Sequence, residues 1–69
     1  MQPDYEKFEQ LLKQRNISVS TISAETGIPG STFSDWKKGK SYPKVPKFYK
    51  IANYFGVSME ALLSDSMEV

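Results

Sequence analysis

Gly27, Gly39 and Gly56 cut the sequence into short segments, and the segments before them carry apolar residues at helical rather than strand spacing. Phe48, Ile51, Ala52 and Phe55 stand at i, i+3, i+4 and i+7 ahead of Gly56, and Phe33 and Trp36 are three apart ahead of Gly39. Glycine adopts the left-handed conformation that closes a helix without steric cost, so this punctuation predicts a series of short helices. No segment alternates apolar and polar residues as a half-buried strand does.

The remaining helix signals fill in the order. Asp4 caps a first helix in which Tyr5, Phe8, Leu11, Leu12 and Arg15 follow helical spacing, ending near Asn16. Ser18 caps a second, with Ile17 and Ile22 at the spacing of a hydrophobic staple, and Gly27 stops it. Ile28-Pro29-Gly30 turns the chain into a third helix, Ser31 to Lys38. Pro43 and Pro46 keep residues 40–45 out of helical geometry, and Pro46 is placed as the first residue of a fourth helix. Ser58 caps a fifth, where Val57 and Leu62 repeat the staple spacing. The expected fold is all-α, a compact five-helix bundle over residues 1–64, with 65–69 read as a flexible tail or the start of a linker.

Composition limits what such a bundle does. The 69 residues include neither cysteine nor histidine, so no disulfide, thiolate or imidazole metal site supports the fold. Packing alone must supply a stability on the order of 3 to 10 kcal/mol, which leaves no room for a deep substrate pocket. The eight acidic residues are scattered and no glycine-rich phosphate loop is present, so the reading is not an enzyme, with no cofactor and no metal. No apolar run approaches a membrane span and the first residues lack an export signal, which makes the cytoplasm the expected location.

The net charge of +1 hides an uneven distribution. Residues 37–50 hold Lys37, Lys38, Lys40, Lys44, Lys47 and Lys50 with no acid, while the rest of the chain sets three basic residues against eight acidic ones. A block of one sign within a folded domain attracts a polyanion; the plainer reading is a solvated lysine face.

Two short helices joined across Gly27-Ile28-Pro29, with Ile22, Ile28, Phe33 and Trp36 turned inward, have the make-up of a helix-turn-helix. Such a motif needs a glycine in its corner, an apolar residue to seal it, and a small polar outer face on the second helix, which Ser31, Thr32, Ser34 and Asp35 provide. Residues 5 to about 64 resemble the Xre family, the helix-turn-helix domains of phage repressors and Cro proteins. The residues that carry the resemblance are Ile22, Gly27-Ile28, Ser31-Thr32-Phe33-Ser34, Trp36, Gly39, Lys50-Ile51-Ala52, Phe55-Gly56-Val57-Ser58 and Leu62-Leu63. The resemblance implies a transcriptional regulator, first of all a repressor, that binds double-stranded operator DNA through the major groove as a homodimer on a two-fold site.

Carried onto this sequence, the base-contacting positions fall on Gly30, Ser31, Ser34 and Asp35. Asp35 only accepts, so it either takes a cytosine amino group or stands in solvent and repels misplaced phosphates. Backbone contacts are expected from Pro29, Thr32, Lys37, Lys38, Lys40, Tyr42, Lys44 and Lys47; Lys50 is left open, and Tyr42 reads either as a contact through its hydroxyl or as packing over the loop. Trp36 reads as core, and Tyr49 and Tyr54 as surface aromatics. Met59, Ala61 and Leu62 match the region through which such domains pair, although Leu62 also reads as core. Two departures stand out: Val19 replaces a glutamine that commonly braces the third helix, and Pro29 replaces its usual serine or threonine cap. The competing function is a protein-interaction module on the same fold, antitoxin-like, that holds a partner and binds DNA weakly or not at all.

Overall fold

The caps read from the sequence operate as expected at the first two helices. In the computed structural model, which describes residues 2–63, the Asp4 carboxylate accepts from the Glu6 N–H at 2.9 Å and opens α1 (Tyr5–Arg15). Ser18 Oγ accepts from the Thr21 N–H at 3.2 Å and opens α2 (Val19–Thr26). The corner follows, then α3 (Gly30–Lys38), a loop, α4 (Val45–Phe55) and a four-residue 3-10 helix, Met59–Leu62. Gly27 and Gly39 close α2 and α3 at φ 78° and 76°, a conformation that a side chain would strain.

The five-helix count is corrected to four α-helices and one 3-10 turn among the described residues. Ser58 makes no side-chain cap, and Leu63 is already extended, pairing with Pro3 in an isolated antiparallel bridge. That pairing, with the Asp4 N–H donating to the Leu62 carbonyl at 2.8 Å, draws the chain out of helical geometry after one turn. Two starts also move by one residue. α3 begins at Gly30, and α4 begins at Val45 with Pro46 behind it, because Lys44 is extended and serves as the cap; the missing proline N–H is no loss in a first turn. The expected tail, residues 65–69, lies outside the described residues.

An aromatic cluster holds the helices together, and it centres on α1. Phe8, fully buried, stacks on Phe33 at 5.3 Å between ring centroids and lies 5.0 Å from Trp36 and 5.9 Å from Phe55. Tyr5 and Phe48 meet Trp36 edge-on at 5.3 and 6.3 Å, so three further rings surround the single tryptophan. Offset and edge-on pairs of this kind contribute about 0.5–1.5 kcal/mol each beyond the area they bury. Burial, with the Glu9 carboxylate adding to it, raises the pKa of the Tyr5 phenol above its ordinary value. Arg15 ties α1 to α4: its guanidinium donates to the Phe55 carbonyl at 2.9 Å and lies 5.6 Å from the centre of the Phe55 ring. It thereby satisfies a carbonyl at the negative end of that helix.

Candidate nucleic-acid interface

α3 is seated on the aromatic cluster by Phe33 and Trp36, 1% and 2% exposed. With about 100° of rotation per residue, Ser31, Ser34, Asp35 and Lys38 at i, i+3, i+4 and i+7 line the opposite side. Ser31, Ser34 and Lys38 are exposed and Asp35 is half-buried. Gly30 opens the same surface, and a Cβ built on it would meet nothing within 4 Å. The outward strip is therefore small and polar from Gly30 to Asp35, with a long side chain, that of Lys38, only at its C-terminal end, a shape that fits a groove edge.

The corner before α3 is fixed by hydroxyl groups that the sequence reading passed over. Ser23 Oγ donates to the Ile28 carbonyl at 2.5 Å, and the Ile28 N–H donates to Thr26 Oγ1 at 3.3 Å, while that hydroxyl donates to the Ile22 carbonyl at 2.7 Å. Both polar groups of Ile28 are thus taken up by α2, and its side chain, 2% exposed, seals the corner. Thr26 had a visible signal, since a threonine in the last turn of a helix readily bonds the carbonyl four residues back. Val19, standing in place of the family's glutamine, packs half-buried on the core.

The N-termini of α3 and α4 differ from those of α1 and α2. Pro29 and Lys44 supply no side-chain cap, and, as in α2, no acid lies in either first turn. Pro29 is exposed, and Lys44 and Lys47 put positive charge at the end of α4 where the backbone dipole is already positive. An anion there is favoured twice over.

Around α3 the structure gathers most, but not all, of the lysine block. Lys44 and Lys47 share a hollow with Thr32, Tyr42, Pro43 and Pro46, which brings the loop and the start of α4 against the flank of α3. Lys37 and Lys38 line a second hollow with Tyr42, at the other end of the helix. Tyr42, 44% exposed above the buried Pro43, belongs to both. Lys40 is exposed just past the Gly39 cap, its N–H donating to the Asp35 carbonyl at 2.9 Å. Lys50 faces elsewhere, in a hollow with Glu25 and Thr26 of α2. Gln2, which sequence reasoning also missed, lies in the Lys37–Lys38 hollow, and nothing local in the sequence marks it.

The expected pairing surface is divided. Leu62 is fully buried and offers no surface to a second copy, so its place in that set is corrected: it is a core residue. Ala61 is exposed, and Met59 is half-buried beside a hollow that it shares with the exposed Tyr49. Among the described residues, no group of three or more acidic, histidine or cysteine side chains is placed to hold a metal ion, and no helix is long and apolar enough to cross a membrane.

The sequence pattern of the helix-turn-helix domain family matches residues 5–65, which takes in all four helices and the 3-10 turn. The chain belongs to that family. Two curated relatives agree with the Xre type. One is the HTH-type transcriptional activator BcrR of Enterococcus faecalis, 29% identical over 59 residues that cover 86% of this chain and 29% of that protein. The other is the cryptic phage CTXphi transcriptional repressor RstR of Vibrio cholerae, 28% identical over 60 residues that cover 87% of this chain and 54% of that protein. The helix-turn-helix domain thus spans less than a third of the first relative's length and about half of the second's. No solved structure matches it.

Proposed function

We propose that this helix-turn-helix domain binds double-stranded DNA, lays α3 in the major groove and acts in transcription regulation as a repressor. The observation that carries the reading is the outward strip of α3: the exposed Ser31, Ser34 and Lys38 and the half-buried Asp35 share one side directly opposite Phe33 and Trp36, with the Thr32, Lys44 and Lys47 hollow along its flank. Gly30, Ser31, Ser34 and Asp35 face the base edges, Asp35 accepting from a cytosine amino group. Lys37, Lys38, Lys40, Lys44 and Lys47, with Tyr42 and Thr32, take phosphates. The uncapped start of α3 at Pro29 presents backbone N–H groups to another.

Two copies occupy a two-fold operator with their third helices about 34 Å apart, one helical turn of DNA. They pair through the surface that includes Met59, Ala61 and Tyr49, and the bound dimer obstructs polymerase. Both named relatives, an activator and a repressor of transcription, support a regulatory role.

The test is selection of bound duplexes from a random pool. A two-fold consensus with half-sites one helical turn apart is the expected result. Retardation of selected duplex should then weaken with salt: with three or four of the five lysines on a phosphate in each chain at a time, the six to eight contacts per dimer give a slope of log affinity against log salt of about −5 to −7. No enrichment, with no retardation at low salt, would end the DNA reading in favour of a partner-holding module.

A further inference from the structure

The residues just before α1 are held in place rather than left loose. Pro3 pairs with Leu63 in the isolated bridge, its carbonyl accepts from Trp36 Nε1 at 3.4 Å, and the Asp4 N–H donates to the Leu62 carbonyl at 2.8 Å. The chain before α1 is therefore fixed between the 3-10 helix and the tryptophan that seats α3. One residue earlier, Gln2 is exposed and lines the hollow with Lys37, Lys38, Gly39 and Tyr42, beyond the C-terminal end of α3. Asp4 borders the same hollow, but its carboxylate is turned to the Glu6 N–H. The hollow is thus lined by two lysines, a tyrosine and a glutamine, residues whose ammonium, phenol and carboxamide groups form a donor set suited to phosphate oxygens.

We propose that Gln2 is a further contact to the phosphodiester backbone of duplex DNA, made past the end of α3 by the fixed segment before α1. The inference rests on the DNA-binding reading above. Its signature differs from that of the lysines. A carboxamide donates hydrogen bonds but displaces no counterion, so it adds affinity without adding to the salt dependence.

The test uses the full chain and the duplex selected by the wild type, titrated at several salt concentrations. Gln2→Ala is expected to weaken binding about three- to tenfold at every salt concentration, the range for one ordinary hydrogen bond at a solvent-accessible site, with the slope unchanged. Gln2→Lys places a charge against the same phosphate and should steepen the slope by about 0.9 per bound chain. The control is Gln10→Lys, an exposed position on α1. Phe8 on that helix stacks on Phe33 of α3, so the outer sides of the two helices point away from each other and the slope should not change. Affinity of Gln2→Ala within twofold of wild type, or equal slopes for Gln2→Lys and Gln10→Lys, would overturn the assignment while leaving DNA binding in place. Failure of the wild type to bind any duplex would remove both.

Discussion

Replacing Trp36 with alanine tests whether α3 stands on the aromatic cluster. Trp36 is 2% exposed, touches the rings of Tyr5, Phe8 and Phe48, and donates through Nε1 to the Pro3 carbonyl. Truncating a buried tryptophan costs about 3–5 kcal/mol, the upper part applying where the surrounding groups cannot close in. Here the neighbours are flat rings from two other helices and a carbonyl left without its donor, so collapse is restricted. A chain of 69 residues has a total stability of about 3–10 kcal/mol. The substitution therefore takes away about three tenths or more of what holds the domain together. At about 4–8 °C per kcal/mol for a domain of this size, the midpoint of thermal unfolding should fall by about 12–40 °C. Circular dichroism at helical wavelengths, followed through heating and through urea, reads this directly, with Trp36→Phe as a comparison that keeps a ring and loses the donor. Trp36→Ala unfolding cooperatively within about 5 °C of the parent would show that α3 does not depend on this seat.

Further substitutions separate the roles of the surface. Lys40→Ala should weaken binding to all duplexes alike and lower the salt slope by about one per bound chain, measured by titration of selected and random duplexes. Ser31→Arg should change which sequences a random pool yields, because it puts a guanine-reading side chain on the outward strip; an unchanged consensus would refute the docking. Ser23→Ala should cost about 1 kcal/mol in urea denaturation and should reduce discrimination between selected and random duplexes, as the corner loses its hold on the Ile28 carbonyl. Arg15→Ala should cost about 1–2 kcal/mol by leaving the Phe55 carbonyl without its donor, and Arg15→Lys should recover part of that loss, since lysine reaches the carbonyl but lacks the planar group over the ring.

Helix limits were readable in the sequence, to within one residue, wherever the deciding interaction is local. Asp4 and Ser18 satisfy N–H groups two and three residues ahead, and Gly27 and Gly39 close helices by their own conformation. The extent of the last element was not readable, because it is decided by Pro3, at the opposite end of the described chain, which holds Leu63 extended. Three members of the outward strip of α3, Ser31, Ser34 and Asp35, were legible in the sequence, since Phe33 and Trp36 fix the inner side; Thr32, expected beside them, is half-buried on the flank with Lys44 and Lys47, and Lys38 completes the strip instead. The lysine block was less so. Its six members are close neighbours in sequence, yet the turn of α4 places Lys50 with Glu25 and Thr26, apart from the Lys44 and Lys47 hollow. Leu62 was ambiguous for a similar reason: an apolar residue near the end of a segment reads as interface or interior until the 3-10 turn points it inward. The hydroxyl groups of Ser23 and Thr26 acquire their role only when the corner folds back on α2.

The bridge between Pro3 and Leu63 places the two ends of the described chain side by side, about 5 Å apart at the paired backbones. Entry and departure share one corner of the molecule, so the domain has the geometry of a cassette. Spliced into a surface loop of an unrelated host, it would need no long spacers to bridge the junctions. A permuted version joined there and opened between Lys40 and Lys44 would keep every helix intact.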